Sequence, residues 1–410
     1  MMRIVLAGGY DTQNLGDHAM LVVLREQLER RFGEVKITLL SRHPDSYFDE
    51  SYDVQSIPNL DHASREDARG KWFRGLNGEE DTVHLEDISN AIGQADLFVI
   101  GGGRMLVDYT HGFQRGHLAY FVQLTTLARF LGTPMMLYAH SLEPLATESG
   151  AEHLRFLAAN AAGISVREQP SQRVLTDLGI DPALVEIIPD PAFGLSLVPP
   201  YIGPKLPAIP QDGRPLLAVN VRSYAWRDGD VSAFEEQLAQ LLDRVIAATD
   251  ARLLCVPQMT YAVDSAETDD RAVARRIAAR MEHSADVLTI EQPLLVEEAL
   301  GIYGHVTALL SMRRHGMLFA ASQGVPVMPL SAERNADYMA STLGIEDCGV
   351  DLADVERSVA TVSRVLRNSR ELGRDIAERT AEVGEDIPAY AELAARILSS
   401  GSSPVLEYGS

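Results

Sequence analysis

Four stretches of this chain carry side chains able to act on a substrate, and each sits where an apolar run gives way to a turn. The first, AGGYDTQNLGDHAM over residues 7–20, has its glycines at Gly8, Gly9 and Gly16. That spacing is neither GxGxxG nor a Walker A loop, which closes on Lys-Ser/Thr, so a dinucleotide fingerprint is unsupported. Asn14, Gly16 and Asp17 can still turn the chain and aim backbone N–H groups at a ligand. The plainer reading of Asp17 is a helix N-cap or first-turn acid, which the helix dipole favours. The second stretch, DLFVIGGGRMLVD over residues 96–108, ends an apolar run in Gly101, Gly102 and Gly103. Glycines there admit a ligand or another backbone at close range. Asp108 can act as a general base beside a sugar hydroxyl, or cap the segment that follows. Asp108, His111 and His117 do not make a metal set: the six-residue gap is not the spacing of a helical pair, and no fourth ligand follows, so no metal is expected.

The third feature is a set of arginines placed just after apolar runs: Arg167 after GISV, Arg222 after LLAVNV, and Arg313 with Arg314 after ALLSM. Taken singly, each has an ordinary structural explanation. Their repeated placement suits bidentate binding of a carboxylate or phosphate. The fourth is SMRRHGMLFAASQGVP, which puts His315 in the first turn of a helical pattern. A helix N-terminus favours the neutral imidazole, and a bound phosphate beside it favours the imidazolium, so His315 is a workable general acid.

These residues need elements to hold them. Strand patterns are expected at 3–7, 36–40, 97–100, 135–138, 163–166 and 186–188, with helical patterns at about 17–31, 86–94, 116–131, 149–161 and 169–178. The alternation reads as βαβ units on a parallel sheet. A Pro-rich stretch over 199–215 reads as a linker. The alternation restarts with strands at 216–221, 252–256, 287–290, 306–310 and 325–329, and helices near 231–248, 267–282, 294–301 and 313–323. Residues 351–400 read as a helical tail. The expected architecture is α/β: a Rossmann-like domain over 1–198, a second over 216–350, and the tail. Ligands of such sheets bind beyond the carboxyl ends of strands, and a cleft between two such domains would present both sets of ends to one ligand. The charged segment 61–82 reads as a solvated insertion, or as a flap carrying Trp72 and Phe73.

Composition narrows the function. The chain has 410 residues, 46% hydrophobic, with 36 Lys+Arg against 58 Asp+Glu, a formal net charge of −22. Sequence-independent nucleic-acid binding needs a basic face and is excluded as an expectation. An anionic substrate requires a local cluster of arginines. Two distant cysteines, Cys255 and Cys348, exclude a disulfide scaffold and read as buried thiols of a reducing cytoplasm. No signal-peptide pattern and no spanning apolar run is read, so a cytoplasmic protein is expected.

Taken in order, NLGDHAML, FVIGGGRMLVD, ISVREQPSQRVLTDLGI, IIPDPAF, VNVRSYAW, VPQMTYAVD and SMRRHGMLFAASQGVPVMPLS resemble the polysaccharide pyruvyl transferase family over about residues 3–331. His18, Arg104, Arg314 and Gly316 depart from the family pattern, and the 61–82 insertion is outside it. The resemblance implies a fold similar to the GT-B glycosyltransferases. It also implies that phosphoenolpyruvate donates a pyruvyl group to two hydroxyls of a sugar or related polyol, giving a ketal and free phosphate, without a cofactor. On that reading Arg222, Arg313 and Arg167 bind phosphoenolpyruvate, and His315 protonates its methylene carbon. Asp108 and then Asp17 take hydroxyl protons, and Asn14, Gly16, Gly102, Gly103 and Arg104 bind the acceptor. The resemblance implies a saccharide acceptor, free or carried on a lipid or a nucleotide. The alternatives are a GT-B nucleotide-sugar glycosyltransferase, with Glu333 as the acid for the ribose, and a catalytically silent binding relative.

Overall fold

The computed structural model describes residues 1–60, 83–108, 117–223, 230–260, 269–330 and 336–400. Trp72, Phe73, His111 and Glu333 lie outside the described residues, as does the side chain of His117. Contacts divide the chain into two compact units. Unit 1 is Met1–Thr12, Met20–Pro191 and Glu385–Ser410, and unit 2 is Gln13–Ala19 and Ala192–Gly384.

Unit 1 holds a seven-stranded sheet in the order β3-β2-β1-β4-β5-β6-β7. Its strands are β1 (Met2–Ala7), β2 (Val35–Ser41), β3 (Gln55–Pro58), β4 (Leu97–Gly103), β5 (Met135–His140), β6 (Gly163–Val166) and β7 (Val185–Ile187), paired in parallel. Between them run α1 (Leu15–Phe32), α2 (Ser46–Tyr52), α3 (Val83–Gly93), α4 (His117–Leu131), α5 (Glu148–Asn160) and α6 (Gln169–Asp177). Every residue of β4 and β5 is buried, which is why both read as continuous apolar runs. Phe98, Ile100, Phe121, Leu124, Leu154, Leu157 and Ile164 share one core. The sequence pattern missed α2 and β3. The strand QSIP has no fully buried residue, so it carries no apolar signal, and α2 is a two-turn helix held by the Asp45 cap and a left-handed Asp53 at φ 49°.

Unit 2 holds a five-stranded sheet in the order β10-β9-β8-β11-β12, made of β8 (Leu216–Asn220), β9 (Arg252–Cys255), β10 (Val287–Thr289), β11 (Ala308–Ser311) and β12 (Val327–Pro329). These strands are also paired in parallel. Its helices are α7 (Val231–Thr249), α8 (Asp270–Ala278), α9 (Val296–Tyr303), α10 (Arg314–Ser322), α11 (Ala336–Leu343), α12 (Val355–Arg367) and α13 (Ser369–Gly384). The α7 helix starts at Asp230, whose carboxylate accepts from the Ser232 and Ala233 amides, and stops at a left-handed Asp250. Leu238, Leu241, Leu242, Val245 and Ile246 form its buried face at helical spacing.

Two stretches differ from the expected organisation. The Pro-rich stretch has no regular structure, but Tyr201 N–H donates to the Gly301 carbonyl at 3.0 Å and its own carbonyl is bonded by His305 Nε2 at 2.7 Å. A Cβ on Gly301 would lie 2.8 Å from Tyr201 N, so the glycine makes room for this strap. The helical end is shared. The α12 and α13 helices belong to unit 2, whereas α14 (Ala389–Ser400) packs in unit 1, with Leu393 and Ile397 against Gly163. Tyr390 donates there to the Ile188 and Pro189 carbonyls at 3.1 and 2.8 Å.

Candidate active site

In unit 2 the strand order reverses between β8 and β11, the switch point where open α/β sheets bind ligands. Asn220 and Ser311 are paired across these strands. Arg222 and Arg313 each lie two residues beyond that pair, so the register itself brings the two arginines to one edge. Ser311 Oγ accepts the Arg313 N–H at 3.0 Å and donates to Asn220 Oδ1 at 2.9 Å. Asn220 Nδ2 donates to the Val256 carbonyl at 2.7 Å and bonds the Tyr303 hydroxyl at 3.1 Å. Gln258 Nε2 reaches the same hydroxyl at 3.0 Å. Burial pushes the Tyr303 phenol well up, so it remains a neutral hub. Gly316 faces this network: a methyl there would overlap Asn220 Oδ1. That is the physical reason for glycine at this position.

Arg313 occupies the N-cap position of α10 without a side-chain capping bond and pairs with Asp270, whose side chain is 1% exposed. Burial raises the Asp270 pKa, while Arg313 and the Gln258 and Met259 amides pull it down. The guanidinium carbon of Arg314 lies 5.8 Å from the ring centre of Tyr338, a cation–π contact. His315 follows in the first turn of α10, half-buried.

The start of α1 belongs to this same unit. Leu15 N–H donates to the Gln258 carbonyl at 2.9 Å, Thr260 N–H to the Gln13 carbonyl at 3.0 Å, and Asn14 bridges Met259. Asn14 Oδ1 accepts the Gly16 N–H at 3.1 Å, a local cap of the helix, and Asp17 lies in the first turn. The His315 imidazole rests against Gly16, where any Cβ would overlap its ring. Thus Asn14, Gly16, Asp17, Arg222, Arg313 and His315 fall within one unit. The strand that leads into Asn14, Gly16 and Asp17 predicts the N-terminal domain for them, and their backbone bonds put them in unit 2 instead.

The other sequence candidates lie in unit 1 and have structural work. Arg167 is 2% exposed. It donates to Asp190 at 2.6 Å and to the Ala139 carbonyl at 2.7 Å, and its remaining nitrogen meets Met20 Sδ. The two motifs SVRE and DPAF are therefore the halves of one buried ion pair, and a phosphoenolpyruvate contact by Arg167 is not what its geometry offers. Asp108 accepts from Ala146 N, Thr147 N and Thr147 Oγ1 at 3.1, 2.7 and 2.8 Å, which ties it to the N-terminus of α5 rather than to a base's role. The glycines also serve packing. A Cβ on Gly101 would strike the Tyr10 ring, and one on Gly102 would lie 3.0 Å from the Ala139 carbonyl oxygen. Tyr10, 1% exposed, lies against Gly8 and Gly101, where β1 and β4 end. Gly103 takes φ 81°, a turn conformation suited to glycine. Arg104 is exposed and pairs with Glu143 at 3.3 Å.

Sequence reasoning missed Asp270, Gln258, Asn220 and Tyr303. VPQMTYAVD was visible as a landmark, but nothing in it signalled that Gln258 meets Asp270. Asp270 itself looks like one more acid at a helix start. Among the described residues, no three His, Cys, Asp or Glu side chains converge as metal ligands. None of the described helices is long and apolar enough to cross a membrane.

Two parallel-sheet α/β units define the GT-B-like class, and solved structures agree. The chain is similar to Anabaena HepE in complex with UDP-glucose, with 12% identity, TM-score 0.59, and 98% of this chain and 100% of that one covered. It is also similar to the Neisseria meningitidis UDP-GlcNAc 2-epimerase bound to UDP-GlcNAc, with 9% identity, TM-score 0.58 and the same coverage. The polysaccharide pyruvyl transferase profile matches residues 14–334, and the chain belongs to that family. Over 92% of this chain and 95% of its relative, it is 22% identical to the amylovoran biosynthesis protein AmsJ of Erwinia amylovora. Family membership supports a pyruvyl transferase role in polysaccharide synthesis.

Proposed function

We propose that the protein transfers the pyruvyl group of phosphoenolpyruvate to two hydroxyls of a saccharide acceptor, and that unit 2 is the donor side. The observation that carries this is the convergence of Arg222, Arg313 and His315 at the carboxyl edge of β8 and β11. Phosphoenolpyruvate carries a carboxylate and a phosphate, and in a chain of net charge −22 two arginines on one edge are a local answer to that charge. Arg313 gives one nitrogen to Asp270 and has a buried Nε with no hydrogen-bond partner among the described residues.

The His315 imidazolium gives a proton to the methylene carbon, making C2 electrophilic. One acceptor hydroxyl attacks C2 and yields its proton to Asp17. Phosphate leaves with the C–O bonding pair and takes up the second hydroxyl's proton as that oxygen closes the ketal. Asp17 returns its proton to the imidazole, so the site is restored. Asp17 replaces Asp108 as first choice of base, because Asp108 is bound to the α5 terminus. No cofactor enters this scheme. The reaction is assigned to the cytoplasm, consistent with Cys255 and Cys348 being buried free thiols.

The test is a thermal-shift panel of phosphoenolpyruvate, inorganic phosphate and UDP at millimolar concentration, followed by an acceptor screen read by phosphate release. At about 100 times its Kd a ligand stabilises by about 2.7 kcal/mol. The expected result is a shift with phosphoenolpyruvate well above that with phosphate. A shift with UDP alone would move the assignment to nucleotide-sugar chemistry.

A further inference from the structure

Asp270 is the first residue of α8, yet it is not that helix's cap. Asp269 performs the capping, accepting from Arg271 N at 2.9 Å. The Asp270 carboxylate instead has donors on both oxygens. Oδ2 accepts the Gln258 and Met259 amides at 3.0 and 2.9 Å, and Oδ1 accepts Arg313. The Gln258–Met259 turn in its own right binds Leu15 and bridges Asn14. One carboxylate therefore stands between Arg313, two residues before His315, and the turn that carries Asn14, Gly16 and Asp17.

We propose that Asp270 is a positioning residue, whose two oxygens set the register of Arg313 against the Asn14–Asp17 turn. The inference rests on the donor-site reading above for its effect on ligand affinity, but not for its effect on order. The chemistry requires a carboxylate. An amide has one acceptor oxygen, and in either orientation its NH2 faces donors, the two backbone amides or the guanidinium. Three donors that converge from two sides are satisfied only by Asp at this distance.

The experiment compares the parent with Asp270→Asn, Arg313→Lys, the double variant, and Asp354→Ala. The last removes the α12 cap, where Asp354 accepts from Arg357 N at 3.1 Å, and serves as a stability control. Phosphoenolpyruvate affinity is measured by calorimetry and amide exchange by mass spectrometry. Loss of a hydrogen bond to a charged group predicts a Kd roughly 10- to 100-fold weaker in Asp270→Asn. The double variant should be within about threefold of Arg313→Lys, since one acts through the other. Exchange should accelerate at 13–18 and 257–260 in Asp270→Asn and not in Asp354→Ala. Unchanged exchange in those segments, or additive losses in the double variant, would overturn the proposal. If the parent does not bind phosphoenolpyruvate but Asp270→Asn still loosens both segments, the donor reading fails and the positioning role stands.

Discussion

Gly16→Ala isolates the role of His315 without touching it. Gly16 is the second residue of α1 and takes no left-handed φ, so the backbone accepts alanine. What does not accept it is the imidazole of His315, which occupies the volume of the new methyl. Two energies compete. Alanine in place of glycine in a helix gains up to about 1 kcal/mol. Overpacking by one methyl costs about 1–3 kcal/mol, relieved here by rotating the imidazole away. The net loss of stability is therefore about 0–2 kcal/mol, a fall in Tm of a few degrees for a unit of this size. Displacing a general acid costs about 100- to 10,000-fold in rate, or about 3–5 kcal/mol of barrier. The loss of activity should thus far exceed the loss of stability. The assay is kcat for phosphate release from phosphoenolpyruvate with an acceptor from the screen, beside a thermal melt. A Gly16→Ala protein with kcat within threefold of the parent would refute the claim that His315 must sit over the start of α1.

His315→Ala should abolish turnover while most phosphoenolpyruvate affinity remains, and turnover within tenfold of the parent would remove His315 as the acid. Arg167→Met should act on stability. It strands Asp190 without its buried partner, a loss of about 3–5 kcal/mol by urea unfolding, with donor affinity of the folded protein unchanged. Weakened donor affinity at full stability would return Arg167 to the donor set. Burial lowers the His140 pKa from 6.5 to about 4. The unfolded chain therefore binds a proton that the folded chain refuses, and this residue's contribution is intact above pH 6.5 and is lost as pH falls toward 4. The slope is about 1.4 kcal/mol per pH unit. His140→Gln should flatten urea midpoints measured at pH 7, 6 and 5, and an unchanged slope would assign the acid loss to other groups.

Much of the fold was legible because buried parallel strands announce themselves. FVIG, MMLY and LLAVN have both faces covered, so their apolar runs need no context. The strand QSIP was invisible because an edge strand carries little buried surface. The arginines after β8 and β11 and the histidine in the first turn of α10 were also readable, since strand ends and helix starts are local features.

Three outcomes needed the tertiary structure. Arg167 follows an apolar run much as Arg222 does, yet it meets a buried carboxylate, Asp190, that lies 23 positions away in the chain. Gly101 and Gly102 of β4 looked like space for a ligand, but Tyr10, Met20 and the β5 backbone occupy it. Asn14, Gly16 and Asp17 follow the first strand of unit 1, yet their hydrogen bonds and the imidazole above them belong to unit 2. Sequence by itself determined which residue types stand at strand ends and helix starts, because burial and capping act over a few neighbours. Tertiary structure alone decided that the charge of Arg167 is spent on another side chain, because an ion pair is set by distance in space and not by distance along the chain.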